Sequence, residues 1–155
     1  MKNYLAKIWR LFDFSKNFQL FFMRIFQDQF LIGVTGIIFN EKNEVLLVKH
    51  TYRQTPWSLP GGYIKGREHP TEGLEREIEE ETGFIVSADY QHNVKTDRET
   101  ARLDICFIGK HIGGEFKPTK EVSEASYFSF ENLPDISTNH LFLINEALKR
   151  IKPLV

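Results

Sequence analysis

A dense group of carboxylates stands out in the sequence, because residues 70–82 contain six glutamates and a single basic residue, Arg76. On an α-helix Glu77, Glu80 and Glu81 occupy positions i, i+3 and i+4, so three carboxylates share one face about one turn apart. Like charges at this spacing cost roughly 0.2–0.5 kcal/mol per pair in water, and more when partly buried. We therefore expect a cation among them. Hard oxygen ligands without a nearby Cys or His pair favour Mg²⁺, Mn²⁺ or Ca²⁺ over zinc.

The segments on either side of the acidic stretch are suited to hold it in place. Paired glycines end the run Trp57-Ser58-Leu59-Pro60-Gly61-Gly62, where the backbone can turn sharply and approach a ligand closely. Pro70 suits the first position of a helix, and Gly83 suits its end. Mg²⁺ is usually completed by substrate oxygens and water, so this unit of loop, helix and cap predicts a phosphate ligand.

The stretch from Gly62 to Phe84 also has a recognisable order: glycine, five residues, glutamate, seven residues, Arg-Glu, an aliphatic residue, any residue, Glu-Glu, any residue, glycine and an apolar residue. It resembles the signature of the Nudix hydrolase family at every fixed position, and a weaker likeness runs from about Leu31 to Pro134. A motif with this many defined positions is far more specific than a short glycine pattern. The resemblance implies an α/β fold, namely an α/β/α sandwich with a mixed β-sheet.

The same resemblance implies an activity. Such a protein would be a Mg²⁺-dependent hydrolase, with Mn²⁺ as an alternative metal, that cleaves the pyrophosphate bond of a nucleoside diphosphate linked to another moiety, or a nucleoside triphosphate. The alternative is a catalytically weak, nucleotide-sensing module with the same fold. Degenerate modules usually lose acids of the signature, and this chain has lost none.

The family pattern assigns roles to individual residues. It implies that Glu77, Glu81 and the backbone carbonyl of Gly62 hold the metal, and that Glu80 either joins them or orients metal-bound water. Arg76 would fix a glutamate of the signature by a charge-assisted hydrogen bond. Glu68 would support the site indirectly by pairing with Arg76. Alternatively, it would be an ordinary solvated acid on the surface. Because some family members use a glutamate of the signature as general base and others an acid on a later loop, Glu121 or Glu124 on the later polar loop could serve here, and we favour Glu121.

Residues outside the signature bear on the substrate. Arg53 could grip a phosphate while Tyr52 stacks on a base, although a surface arginine and a half-buried tyrosine are an equally simple interpretation. Arg98 and Arg102 are similar cases. Some subfamilies that act on ADP-ribose, dinucleoside polyphosphates or reduced dinucleotides carry a characteristic residue or motif at a set distance after the signature. None of these is found at the expected distance here. The sequence therefore does not identify the leaving group of the reaction.

Composition limits the other possibilities. The chain has 155 residues with a net charge of −1, which suits one globular domain and gives no overall attraction to nucleic acid, so no stable nucleic acid complex is expected. The single cysteine, Cys106, lies in an apolar run and is expected to be a buried strand residue in a reducing compartment. A cytoplasmic protein that acts on a nucleotide derivative is expected, with a peripheral position at the inner membrane face as the alternative.

Residues 1–30 form a distinct N-terminal extension ahead of the hydrolase domain at 31–155. They contain seven phenylalanines, and five basic residues against two acidic ones. Apolar spacing predicts two helical pieces broken near residues 13–17, with neither a membrane span nor a secretory signal. Two interpretations remain open: a cap packed on the domain or on a second subunit in a homodimer, and weak peripheral contact with an anionic membrane.

The remaining elements follow from periodicity and turn residues. Strands are predicted at Leu31–Phe39 and Glu44–His50, joined as a hairpin, then at 84–94, 101–112 and 126–130. Gly113-Gly114 predicts a tight turn, and a closing amphipathic helix is predicted at 139–151.

Overall fold

The computed structural model describes residues 16–53 and 56–151, and the chain divides after Phe30 into two compact units. In the first unit helix α1 spans Lys16–Phe26. Lys16 and Asn17 are already helical, so the predicted break does not include them. Residues 13–15 and the first predicted helical piece lie outside the described residues. In the described part of the chain, no helix combines the length and apolar character needed to cross a membrane.

The second unit contains seven strands and two α-helices within its described residues. The strands are β1 (Leu31–Phe39), β2 (Val45–His50), β3 (Trp57–Ser58), β4 (Gly61–Tyr63), β5 (Phe84–Asp97), β6 (Arg102–Gly114) and β7 (Val122–Phe128). The helices are α2 (Pro70–Thr82) and α3 (Thr138–Ile151), and a short 3₁₀ turn spans Phe130–Asn132. The predicted hairpin, acidic helix and closing helix are confirmed.

Two predicted boundaries are wrong. Gly113 and Gly114 are not a separate turn, because both belong to β6 and pair with the start of β5. The last strand begins at Val122 rather than at residue 126, because its first half pairs with β2. A polar sequence such as Ser123-Glu124 gives little sign of a strand, since the pairing partner supplies the hydrogen bonds.

The strands form one mixed sheet in the order β3-β2-β1-β6-β5. Strands β1 and β6 run parallel along their whole overlap, whereas β5–β6, β2–β3 and β2–β7 are antiparallel. Strand β1 meets β2 at Phe39 and Val45 and then diverges from it. The short strand β4 occupies the space beside the first half of β1, pairing across Gly33–Thr35. This divergence brings the glycine loop into the middle of the sheet.

Both faces of the sheet are covered, as the alternation of β1 requires. One face packs Val34 and Ile38 against Leu74 and Ile78 of helix α2, and all four side chains are buried. The other face carries Ile37, Phe39 and Cys106 against Leu143, Ile144 and Ala147 of helix α3. The predicted α/β/α sandwich is confirmed, and Cys106 is the buried strand residue that the sequence predicted.

Candidate active site

Helix α2 is fixed at both ends by its sequence. Pro70 is its first residue, and His69 caps it by accepting a hydrogen bond from the backbone of Thr71, while Glu72 accepts one from the backbone of His69. Gly83 ends the helix in the left-handed conformation with φ of 76°. Glu79, Glu80 and Glu81 therefore lie in the last turn, where the negative end of the helix dipole disfavours carboxylates.

Arg76 links the acids of the glycine loop to those of the helix. Its Nε and Nη2 atoms donate to Glu68 at 2.5 and 3.0 Å, and its Nη1 atom donates to Glu77 at 2.7 Å and to Glu80 at 3.0 Å. Nη2 also donates to the backbone carbonyl of Tyr63 at 3.2 Å. The hydrogen bonds from Arg76 and the backbone of Lys65 lower the pKa of Glu68 to about 2. The sequence suggested the Glu68–Arg76 pair, and the structure contains it.

Glu77 lies directly against the glycine loop. Its Oε1 atom is held by Arg76, and a Cβ atom added at Gly62 would collide with its Oε2 atom. Only glycine leaves room for this carboxylate at the point where β4 passes the helix. The backbone of Gly62 and one free oxygen of Glu77 are therefore adjacent.

Glu81 is the unusual acid of the group. Its Oε2 atom is buried without a hydrogen-bond partner among the described residues. Burial, together with the charges of Glu77 and Glu121, raises its pKa to about 7, and the charge of Arg53 opposes the shift. A buried, unpaired carboxylate is costly unless a proton or a cation neutralises it.

Glu80 has a different environment from the other two acids. Both of its oxygens are engaged, by Arg76 at 3.0 Å and by Lys65 at 3.4 Å, and its side chain is exposed. We expected a metal because the carboxylates repel one another. Arg76 and Lys65 relieve part of that repulsion by pairing with Glu80. Among the described residues no three acidic, His or Cys side chains stand together as a ready-made metal site.

The residues nevertheless fit a hard divalent cation. The free oxygens belong to Glu77 and Glu81, the Gly62 backbone is adjacent, and oxygen is the ligand that Mg²⁺ and Mn²⁺ prefer. The orphaned oxygen of Glu81 is the observation that requires a further partner. Glu80 could join them only by giving up a contact with Arg76 or Lys65.

The loop at residues 115–121 closes over the end of helix α2. The backbone N–H of Lys117 donates to the carbonyl of Thr82 at 2.8 Å, and Thr119 Oγ1 donates to the carbonyl of Glu81 at 3.4 Å. Glu121 is exposed on this loop, and its charge acts on Glu81. Glu124, the other candidate base, instead pairs with Lys49 at 3.3 Å. Of the two acids, Glu121 is the one beside Glu81.

Arg53 and Tyr52 lie at the edge of the same site. The charge of Arg53 acts on Glu81, and its Nη1 atom donates to Ser58 Oγ at 3.3 Å. Its guanidinium lies 5.7 Å from the ring centroid of Tyr52, whose side chain is exposed. The structure thus brings Arg53 to the acids and leaves the ring of Tyr52 open to solvent.

Two histidines near the site were missed by the sequence analysis. The positive charge of Arg53 lowers the pKa of both His50 and His140, although burial is the larger cause. His50 is buried, with its pKa lowered to about 4, and His140 Nδ1 accepts a hydrogen bond from the backbone of Leu59 at 3.4 Å. No local spacing connects His140 to the signature, because it comes from helix α3.

Comparison with known proteins agrees with this geometry. An ADP-ribose pyrophosphatase of Methanocaldococcus jannaschii is 33% identical over 126 residues, which cover 76% of this chain and 73% of that protein. A putative ADP-ribose pyrophosphatase, YjhB of Bacillus subtilis, is 41% identical over 111 residues, 67% of this chain and 52% of that protein. The solved structure of an ADP-ribose pyrophosphatase from Streptococcus suis has a TM-score of 0.66 at 26% identity, covering 78% of this chain and 93% of that one. Other relatives are named as an 8-oxo-dGDP phosphatase and an NAD-capped RNA hydrolase.

A glycine loop, a capped acidic helix and an arginine clamp on an α/β/α sandwich define a hydrolase of phosphoric anhydrides. The family model of the NUDIX domain matches residues 29–149, and the chain belongs to the Nudix family. It is therefore a Nudix-type pyrophosphohydrolase, and its relatives act on nucleotide derivatives. Nudix hydrolases generally use divalent metal ions.

Proposed function

We propose that this protein hydrolyses the pyrophosphate bond of a nucleoside diphosphate linked to another moiety, with Mg²⁺ as its metal and Mn²⁺ as a substitute. The buried, unpaired oxygen of Glu81 beside Glu77 and Gly62 carries the proposal. Bound Mg²⁺ would neutralise phosphate oxygens and make water more acidic. Water then attacks one phosphorus, the bridging P–O bond breaks, and two phosphomonoesters leave.

Each residue of the site has a part in this reaction. Glu77, Glu81 and the Gly62 carbonyl would hold the metal, with Glu80 as a further ligand when it leaves Arg76. The planar guanidinium of Arg76 keeps the carboxylates in position, and the hydrogen bond from Arg76 to Glu68 orients the guanidinium.

Glu121 would act as general base. It lies on the loop that closes over α2, and its charge already acts on Glu81. An exposed acid near the metal ligands can take a proton from the attacking water without disturbing the core. Its replacement by Gln should lower kcat by about 10²-fold or more. Unchanged kcat would move the base to another residue but leave the metal site in place.

Arg53 and Tyr52 would bind the nucleotide. The charge of Arg53 acts on Glu81, so its guanidinium can hold a phosphate oxygen near the acids, while the exposed ring of Tyr52 can stack on the base. The names of the two relatives described above favour ADP-ribose as the first substrate to test. A nucleoside triphosphate remains the second.

The experiment is an assay of ADP-ribose and a nucleoside triphosphate with Mg²⁺, with Mn²⁺ and with a chelator. We expect metal-dependent release of AMP and ribose 5-phosphate from ADP-ribose. Glu81→Gln and Glu77→Gln should lose about 10²-fold or more of kcat/KM, whereas Glu79→Gln, on the exposed side of the same helix, should keep it. Turnover that survives both substitutions would overturn the proposal. Tight nucleotide binding without turnover would instead identify a nucleotide-sensing module.

The N-terminal extension adds a proposal about location. Residues 1–30 carry five basic and two acidic residues, whereas residues 31–155 carry fifteen basic and nineteen acidic ones. Leu20, Phe21, Met23 and Ile25 of helix α1 are each more than half exposed. A basic, aromatic helix of this kind suits weak attachment to an anionic lipid surface. We propose that the protein is cytoplasmic and attaches peripherally to the inner membrane face.

A further inference from the structure

The loop that carries Glu121 leads into strand β7 and is bonded to the end of helix α2. Glu121 is exposed, and its side chain makes no hydrogen bond or ion pair with any other described residue. Because no contact of its own holds this side chain, the backbone of residues 119–122 decides where its carboxylate lies.

Thr119 joins this backbone to helix α2. Its N–H donates to the carbonyl of Val122 at 2.9 Å, and its Oγ1 atom accepts from the N–H of Val122 at 3.1 Å, so the two residues close a tight turn that contains Glu121. The same Oγ1 atom donates to the carbonyl of Glu81 at 3.4 Å. One hydroxyl group thus ties the turn to the last turn of the acidic helix.

Thr51 holds the same turn from strand β2, which it directly follows. Its N–H donates to the carbonyl of Glu121 at 3.0 Å, and its Oγ1 atom donates to the carbonyl of Lys120 at 2.9 Å. A longer contact of 3.4 Å joins Oγ1 to the carbonyl of Glu121. Any residue except proline can supply the N–H bond, whereas the hydroxyl bonds need threonine or serine.

These hydroxyl groups suit accurate placement better than overall stability. Thr51, Thr119 and Glu121 are all exposed, and hydrogen bonds at an exposed loop add little to the free energy of unfolding. A group that takes a proton from water must lie within hydrogen-bond reach of it, and a displacement of about 1 Å can cost about 10²-fold in rate. The two hydroxyl groups therefore restrain the backbone beside the carboxylate that most needs a fixed place.

We infer that Thr51 and Thr119 position Glu121 as the general base, by holding the backbone of residues 119–122 between strand β2 and the end of helix α2. The inference rests on the proposed function, in which Glu121 takes the proton. Thr51 directly precedes Tyr52 and Arg53, so the segment proposed to bind the nucleotide is bonded to the loop of the base. Both threonines act through Glu121 and are positioning residues.

Steady-state kinetics of the full-length protein tests the inference, with Mg²⁺ and whichever of ADP-ribose and the nucleoside triphosphate is hydrolysed. Thr51→Val and Thr119→Val should each lower kcat by about tenfold while KM stays within about twofold, because the base moves and the substrate contacts remain. Thr51→Ser keeps the hydroxyl group and should recover kcat to within about twofold of the wild type. Thr100→Val is the matched control and should leave kcat unchanged, since Thr100 is an exposed threonine whose Oγ1 atom donates to Asp97 in the turn between β5 and β6.

A double-mutant cycle shows whether the threonines act through Glu121. Added to Glu121→Gln, either valine substitution should lower kcat by less than about twofold further, since the group that it positions is already gone. A further loss of about tenfold would overturn the inference, because the threonines would then act by another route. An unchanged kcat in both valine variants would also overturn it, and so would a rise in KM alone, which would assign Thr51 to substrate binding.

The inference and the proposed reaction fail separately. If the wild type hydrolyses its substrate but Glu121→Gln leaves kcat unchanged, the inference is overturned and the metal-dependent reaction stands. If no pyrophosphate is hydrolysed, amide hydrogen exchange decides on the positioning alone. Exchange at residues 119–122 that is about fivefold or more faster in both valine variants than in Thr100→Val would support the restraint of Glu121 and reject only the reaction, whereas equal exchange would overturn the inference.

Discussion

Glu81 lies at the carboxyl end of helix α2, buried beside the charges of Glu77 and Glu121. The helix dipole, the burial and the neighbouring acids all oppose ionisation of its carboxyl group. Sequence spacing predicted that Glu81 shares a face with Glu77, because helix periodicity fixes that relation. Spacing could not predict that Arg76 pairs with Glu77 and Glu80 but not with Glu81. That choice depends on where the glycine loop places Glu68, which also pairs with Arg76.

Glu81 should make the metal-free protein less stable as the pH rises. Its folded pKa of about 7 lies above the ordinary value of 4.5, so the folded state binds more protons between these values. The free energy of unfolding should fall across this window, by on the order of 2 kcal/mol relative to Glu81→Gln. Urea unfolding in a chelator at pH 5 and pH 8 measures it.

The comparison with Glu81→Gln is needed because His50 acts in the opposite direction. Its pKa of about 4 lies below the ordinary 6.5, so its contribution to stability is lost as the pH falls through that range. His50 is present in both proteins and cancels in the difference. A difference that does not change between pH 5 and pH 8 would mean that Glu81 titrates normally.

Arg76 gives a second prediction at this scale. A lysine cannot span Glu68, Glu77 and Glu80 at once, because its ammonium is a single point whereas the guanidinium is a planar fork. Arg76→Lys should lower kcat/KM by about 10–100-fold while charge is conserved. Steady-state kinetics measures the loss, with Arg150→Lys on the exposed side of helix α3 as control. Equal activity of the two variants would show that charge alone is sufficient.

At the scale of elements, the site depends on where helix α2 stops and how the next loop returns. Pro70, the apolar pair Leu74 and Ile78, and Gly83 made the helix predictable, because each acts within a few residues. The loop at 115–121 was not predictable as a contact of the helix, because it binds α2 through backbone groups of Lys117 and Thr82 far apart in sequence.

Gly83 lies at the junction between helix α2 and strand β5, and its replacement by any other residue should destabilise the protein. Its φ is +76°, and an added Cβ atom would lie 2.5 Å from the carbonyl oxygen of Glu115. Gly83→Ala should therefore cost more than about 1–2 kcal/mol of unfolding free energy, the cost of left-handed backbone alone. Gly113→Ala is the control, since a Cβ atom there meets nothing within 4 Å, and it should change stability by less than about 0.5 kcal/mol. Thermal and urea unfolding compare them, and equal losses would contradict the account of this junction.

At the scale of the whole molecule, a basic, phenylalanine-rich extension precedes an acidic hydrolase domain. The family match begins at residue 29, so residues 1–28 lie outside it. The extension was predictable as a separate segment because its composition changes abruptly. Its partner was not predictable, since a cap and a membrane anchor share the same apolar pattern.

The extension should bind vesicles that contain anionic lipid. Full-length protein should co-sediment with phosphatidylglycerol-rich liposomes and less with purely zwitterionic ones, because Lys16 and Arg24 add attraction of about 1 kcal/mol each. Removal of residues 1–30 should abolish sedimentation, and Lys16→Glu with Arg24→Glu in the full chain should reduce it by tenfold or more, at about 1.4 kcal/mol per tenfold. Absence of sedimentation, together with a dimer in solution, would support the cap on a second subunit instead.

Binding of Mn²⁺ to the full-length protein, followed by electron paramagnetic resonance of the free ion, tests the central claim most directly. Wild type and Glu79→Gln should bind the ion equally, whereas Glu77→Gln and Glu81→Gln should each bind it at least about tenfold more weakly. Equal binding by all four proteins, or no binding by the wild type even with ADP-ribose present, would contradict the account that these carboxylates gather a metal to cleave a pyrophosphate.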